Sequence, residues 1–408
     1  MRPAQPPPWR GLAALLASGA CVWFPGSVVF GLMGLLKPTW ASMFSASEGA
    51  VGFVMTALIV ATGVSMYWSG RWSDRLGARP VATLGSLMIA ASLGLTPYAP
   101  SLPALYLLSF TLGAGISLVY IPAISSSQRW LPAKRGLASG LVSMLYGASG
   151  FVMVFPFRHL LSTHGYASSL ITVAVLALAL GVASAQLMEF PERVGYAGPS
   201  PSCASTRPSA TLRGALRSRA LWLTWLTWAL CGGAGIGMVM FSTSIGMELG
   251  LDAAAAAACL AAFNLTNGLT RVVSGALSDR LGRSRVMAVS YVAGAVGFLL
   301  LAARLSELWA VVLANLLAGL SFGTLFAVSA PYLMDHFGPA HFGSIFGFTF
   351  TAYGFMGSWL GPFVGGLLRD STGDFTSTCL AFAAYTLASA IAILAAGEAR
   401  RGRLASTP

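Results

Sequence analysis

Charge is what this chain has least of. Of its 408 residues only 9% are Asp, Glu, Lys or Arg, whereas 56% are hydrophobic. Soluble domains carry about 25% charged residues, so this composition excludes an ordinary soluble enzyme. Acids are the scarcer sign, with 12 Asp and Glu against 24 Lys and Arg. Each acid, from Glu48 and Asp74 through Glu248 to Glu398, falls in a connection or near the end of an apolar run. The four histidines, His159, His164, His336 and His341, are placed the same way. The five cysteines, Cys21, Cys203, Cys231, Cys259 and Cys379, form no CxxC and no Cys/His cluster. That pattern indicates neither a metal site nor a disulfide framework. No nucleophile–base set stands out, so catalysis is not expected, and neither a metal nor a cofactor is.

Apolar length takes the place of charge. Twelve hydrophobic runs occupy approximately 11–36, 49–69, 81–99, 103–127, 136–157, 167–188, 220–247, 254–275, 286–303, 308–334, 342–367 and 376–396. Runs of about 20 residues match the thickness of a bilayer core. The expected fold class is therefore an all-α membrane protein with twelve transmembrane helices. Residues 1–10 are short and basic, and no small-residue cleavage site convincingly follows the first run, which reads as a retained helix.

A net charge of +12 raises the question of nucleic acid, but its distribution answers otherwise. Placing both termini and the even-numbered connections on one side collects 19 of the 24 Lys and Arg there. Lys37, Arg158, Arg304 and Arg369 fall on the other side, and Arg271 lies within a span. This is the positive-inside asymmetry. It predicts a multi-pass plasma (inner) membrane protein with both termini cytoplasmic. The positive charge then meets anionic lipid headgroups and no nucleic acid.

One compositional break divides the chain. Residues 189–219 are rich in Pro, Ser, Gly and Arg and read as a cytoplasmic linker between halves 1–188 and 220–408. The halves repeat. Gly70-Arg-Trp-Ser-Asp74-Arg75-Leu-Gly77 recurs, 205 residues later, as Gly275-Ala-Leu-Ser-Asp279-Arg280-Leu-Gly282. Glycine permits a tight turn there, and the Asp is placed to cap a neighbouring helix or to pair with a nearby Arg.

This duplicated loop resembles the signature of the major facilitator superfamily, and the similarity runs over the whole chain. The resemblance implies two pseudo-symmetric six-helix bundles around a central cavity that opens alternately to each side. It also implies a role in conformational gating for Gly70, Asp74, Arg75, Gly77, Gly275, Asp279, Arg280 and Gly282. A second stretch is narrower. Tyr120-x-Pro122, then Trp130-Leu-Pro132-x-Lys134-Arg135-Gly136-Leu-Ala138-x-Gly140, is similar to the fourth and fifth helices of oxalate–formate antiporters and, more loosely, of monocarboxylate transporters. Those carriers have an arginine in the eighth helix just ahead of the second loop motif, where Arg271 stands.

Arg271 points the same way on physical grounds. It sits in the otherwise uncharged stretch 259–275, and its counterpart in the first half is Met66, so the duplicated scaffold does not need it. A guanidinium within hydrocarbon is costly and usually faces a water-filled cavity where it binds something. Its natural complement is a carboxylate or phosphate. Asn264, Asn267 and Arg271 recur at i, i+3 and i+7, one stripe of a helix. The alternative is that Arg271 snorkels to the interface four residues before Gly275. Phe322 and Phe326, Phe350 and Tyr353, and Tyr120 and Tyr146 offer apolar walls and hydroxyls for the rest of a substrate site.

Two departures from the resemblance bear on substrate. Animal monocarboxylate transporters carry an aspartate one turn before the arginine and a lysine midway along the first helix. Here those places hold Asn267 and the run Phe30–Leu36, with Lys37 expected at the helix end. Oxalate carriers add a lysine in the eleventh helix, and 344–362 has none. One fixed charge favours one carboxylate. The expected function is thus secondary transport of a small monocarboxylate, lactate- or pyruvate-like, moved with a proton. Arg271 cannot titrate, so the proton rides on the substrate or an edge acid such as Glu248 takes part. Exchange of one anion for another is the alternative. Drug or cation efflux is a more distant one, since a buried acid is missing. A membrane sensor is disfavoured by the short tail 399–408.

Overall fold

The computed structural model describes residues 8–131, 135–195, 210–338 and 342–397. Pro132, Lys134, Cys203, His341, residues 196–209 of the connection and both chain ends lie outside the described residues. Among the described residues there are twelve long helices and no strand. They are α1 (Trp9–Met43), α2 (Glu48–Leu76), α3 (Ala78–Leu95), α4 (Leu102–Trp130), α5 (135–164), α6 (166–187), α7 (Arg219–Glu248), α8 (Ala253–Leu281), α9 (Arg283–Ala302), α10 (Leu308–Phe337), α11 (342–372) and α12 (Thr376–Ala396). Gly165, at φ 75° and ψ 176°, separates α5 from α6. The twelve apolar runs correspond to these helices, several of which extend beyond the run that marks them.

The packing repeats with the sequence. In the first half α2 and α3 pack on α4, and in the second α8 and α9 pack on α10. Likewise α12 lies against α9 and α7, and the joined α5–α6 run lies against α3 and α1. The halves meet along α5–α8, along α2–α11 and, more locally, along α1–α7. The first two seams are counterparts under the same repeat.

The duplicated loop has one conformation in both copies. Gly77 ends α2 at φ 96°, and Gly282 ends α8 at φ 95°. Only glycine takes such a dihedral without strain. The Asp residues pair as expected of them: Asp74 with Arg129 at 2.6 Å, and Asp279 with Arg283 at 3.1 Å. Arg283 also reaches Asp335 at 2.5 Å. Arg75 and Arg280 are exposed. Outside the spans, Asp252 caps α8, where the N–H groups of Ala255 and Ala254 hold its carboxyl below the usual range.

Two prolines do not end the helices they enter, and in each case the other half satisfies the backbone carbonyl that the proline frees. Pro38 lies inside α1 and cannot donate to the carbonyl of Gly34, which instead accepts from Thr243 Oγ1 at 2.8 Å. Pro362 lies in a π-helical part of α11, and the Ser358 carbonyl one turn before it accepts from Thr56 Oγ1 at 2.7 Å. α1 therefore continues through Lys37 and Pro38 to Met43, past the end expected from its hydrophobicity.

Candidate functional site

The seam between α5 and α8 positions the candidate residues. Val154 and Leu260 share a small apolar cluster. Next along the seam, Gly150 abuts Asn264, Gly268 abuts Ala148, and Gly147 abuts Arg271. Small residues let the two backbones approach closely. The α2–α11 seam has the same character, with Gly52 against Pro362 and Gly63 against Gly354. Both seams part toward the end that carries the 189–219 connection. Among the described residues, a side chain beginning at Gly140 of α5, Gly275 of α8 or Gly347 of α11 would meet nothing within 4 Å. Among the described residues the two seams are thus closed at the far end and parted at the linker end.

Arg271 lies where the α5–α8 seam begins to part, and it is only 5% exposed. It does not snorkel. Its Nη1 donates to Ser143 Oγ of α5 at 2.7 Å, and its Nη2 donates to Asn267 Oδ1 at 3.2 Å. The guanidinium carbon sits 4.6 Å from the centre of the Phe326 ring. Tyr120, Tyr146 and Tyr353 all lie within electrostatic reach of it. Asn264 Nδ2 donates across the halves to the Phe30 carbonyl at 2.6 Å, and to Leu260 O at 3.0 Å.

Three polar atoms on this stripe have no hydrogen-bond partner among the described residues: Arg271 Nε, Asn267 Nδ2 and Asn264 Oδ1. Among the described residues no acid pairs with Arg271. A buried charge without a counter-charge, beside unsatisfied donors, is costly. The arrangement is therefore suited to an anion that accepts from the free N–H groups.

The aromatic residues join in one array. Tyr120 and Tyr146 have ring centres 4.9 Å apart, Phe322 and Phe326 5.1 Å, Phe326 and Tyr353 5.6 Å, and Phe350 and Tyr353 5.4 Å. Phe30 bridges the halves, 5.3 Å from Tyr146 and 6.2 Å from Phe322. Trp228 closes the back, 4.9 Å from Phe326 and 5.0 Å from Phe350. Phe350 consequently belongs to the layer behind Phe326 and Tyr353. Sequence reasoning did not single out Phe30, Ser143 or Trp228. A serine in a small-residue helix carries no signal until its partner across the seam is known.

Lys37 corrects an expectation. It is not at a helix end but inside α1, and it is 1% exposed. It pairs with Glu48, and its Nζ donates to Ser244 Oγ at 2.7 Å. Its charge is matched, so Arg271 remains the buried cation without an acid partner among the described residues. Glu248, a possible titrating edge acid on sequence grounds, is engaged by Arg304 and by the backbone N–H of Phe375, each at 3.1 Å.

The family model of the Major Facilitator Superfamily matches residues 15–266 and 235–407. The chain belongs to that superfamily, a family of membrane transporters, and it is a multi-pass membrane protein of that class. Among its relatives is the "Oxalate:formate antiporter" of Oxalobacter formigenes, 28% identical over 351 residues, covering 84% of this chain and 82% of that protein. "Monocarboxylate transporter 11" of Mus musculus is 27% identical over 402 residues, covering 95% and 87%. "Monocarboxylate transporter 13" of Rattus norvegicus is 25% identical over 374 residues, covering 90% and 85%. Among solved structures, the nucleoside transporter NupG superposes with a TM-score of 0.73 at 16% identity, covering 95% of this chain and 98% of that one. That likeness concerns the fold.

Proposed function

We propose that this protein carries small monocarboxylates, lactate- or pyruvate-like, by alternating access, with Arg271 binding the carboxylate. The observation that carries the reading is the buried, acid-free guanidinium of Arg271 next to the unpartnered Asn267 Nδ2 and Asn264 Oδ1. A carboxylate accepts from Arg and amide donors, and an acceptor such as Asn264 Oδ1 suits a hydroxyl. Tyr120, Tyr146, Phe322, Phe326 and Tyr353 flank the alkyl part, with Phe350 backing them. The names of the relatives, carriers of monocarboxylates or of oxalate and formate, agree with an organic anion.

For coupling, we favour a proton moving with the substrate, carried on the acid itself. Exchange of anions is the second reading. It is favoured by the lack of an acid partner for Arg271 among the described residues, because an empty carrier must bury that charge uncompensated. Uptake of radiolabelled lactate into proteoliposomes decides between them. An acid exterior should raise the initial rate several-fold in symport. A rate that responds only to lactate or formate loaded inside would show exchange.

We also propose the halves 1–188 and 220–408 as the moving units, in a plasma or inner membrane, with both termini and the 189–219 linker cytoplasmic. The Lys and Arg asymmetry supports this orientation. A cysteine placed at residue 205 should resist a membrane-impermeant thiol reagent in intact cells, and prompt labelling there would reverse the orientation.

A further inference from the structure

The far end of the molecule, opposite the linker, holds a buried lysine that the substrate site does not use. Lys37 lies two turns beyond Phe30 on α1, about 10 Å along the helix axis. Its ammonium is enclosed by both halves. From the first half it meets Glu48. From the second it meets Ser244 Oγ at 2.7 Å and the rings of Phe241 and Phe375, centred 5.0 and 5.1 Å away. A desolvated ammonium between two aromatic faces is held by cation–π attraction as well as by its hydrogen bonds. One turn earlier on α1, Thr243 donates to the Gly34 carbonyl at 2.8 Å.

A second contact lies beside the first. The carboxylate of Asp370, from α11, accepts from the N–H groups of Glu48 and Gly49, both at 2.8 Å. These are the first turn of α2, where N–H groups lack partners within the helix and an anion is favoured. A residue of the second half therefore caps a helix of the first. Glu48 takes part in both contacts, through its side chain to Lys37 and through its backbone to Asp370. The neighbouring charges, Arg369, Arg304, Glu248 and Asp374, pair among themselves within the second half.

We infer that Lys37, Ser244 and Asp370 form the lock of the far-end gate: their contacts hold the halves together while the linker end is parted, and they must break for the carrier to open the other way. Lys37 and Asp370 are positioning residues here, acting on the equilibrium between the two open forms and not on the substrate. The inference rests on the alternating-access reading but on no choice of substrate. Its test needs no substrate either, so it can fail while the carboxylate assignment stands, and the reverse.

The experiment reads distances between the halves in the full chain. Spin-label pairs at Met43 and Met247 report the far end, and pairs at Leu76 and Leu281 report the linker end; all four side chains are exposed. Ser244→Ala and Asp370→Asn each remove one bond between the halves and leave the Lys37–Glu48 pair intact. Lys37→Met removes the charge and keeps the apolar stem. Each variant should raise the long-distance population at Met43–Met247 roughly tenfold, what one charge-assisted hydrogen bond is worth. The Leu76–Leu281 distance should shorten in step, a reciprocal change that mere loosening of the fold does not produce. Ser244→Thr, which keeps a hydroxyl, should restore the parent distances. If Ser244→Ala and Asp370→Asn, eluting as single species, keep the parent distances at both ends, the lock does not exist.

Discussion

Replacement of Arg271 by alanine is expected to abolish carboxylate binding while leaving the protein folded. Among the described residues the guanidinium has only neutral partners, Ser143, Asn267, Tyr120 and the Phe326 ring. Its charge is thus a cost to folding, which a bound anion offsets. Alanine removes that cost along with the site. Truncating one partner of a buried charged pair costs about 2–5 kcal/mol, or roughly 30- to several-thousand-fold in affinity. Lysine should not rescue it. An ammonium is a point charge, and it cannot hold Ser143 and Asn267 while offering a further N–H to the ligand in one plane. Titration of lactate into purified Arg271→Ala and Arg271→Lys, with thermal unfolding alongside, checks both halves of the expectation. Normal affinity in either variant would remove Arg271 from the site. A collapse of the unfolding transition would show that the arginine is structural.

The second large effect concerns charge number. Lactate or pyruvate should displace bound substrate far better than oxalate or another dicarboxylate. Arg271 brings one positive charge, and Lys37, the other buried cation among the described residues, is already neutralised by Glu48 at the far end. A dianion would carry a second negative charge into a low-dielectric site without a partner, at a cost of several kcal/mol even after relaxation. Asn267 can donate a hydrogen bond but cannot neutralise that charge. Tyr353 is 4% exposed and within electrostatic reach of Arg271, so Tyr353→Lys puts a second cation beside the first. That variant should shift preference toward dicarboxylates by an order of magnitude or more. Competition in which oxalate outperforms lactate on the unmodified protein would contradict the single-charge account.

Much of this architecture is legible from residue order because a bilayer restricts the options. Apolar runs can only be helices there, and the duplicated GxxSDRLG announces the repeat that the packing follows. Arg271 with Asn264 and Asn267 is legible for a similar reason: helical spacing alone puts them on one stripe. Contacts between the halves are not legible. Ser143 and Phe30 reach the site only because the α5–α8 seam closes upon them. Lys37 misleads, because a lysine followed by Pro38 reads as a helix end. The helix continues because Thr243, more than 200 residues away, takes the carbonyl that the proline leaves free. The acid scarcity is similarly two-faced. It marks the lone charge of Arg271 at once, yet it hides that Glu48, at the start of a span, is half of a buried pair.

The central claim is that Arg271 recognises the negative charge of a small acid, and a neutral analogue tests it most directly. Lactamide matches lactate in size and keeps its hydroxyl, but it replaces the carboxylate with an uncharged amide. Calorimetric titration of both into the purified protein at neutral pH should give saturable binding of lactate, lost in Arg271→Ala, and no measurable binding of lactamide. Equal affinity for lactate and lactamide would contradict the account.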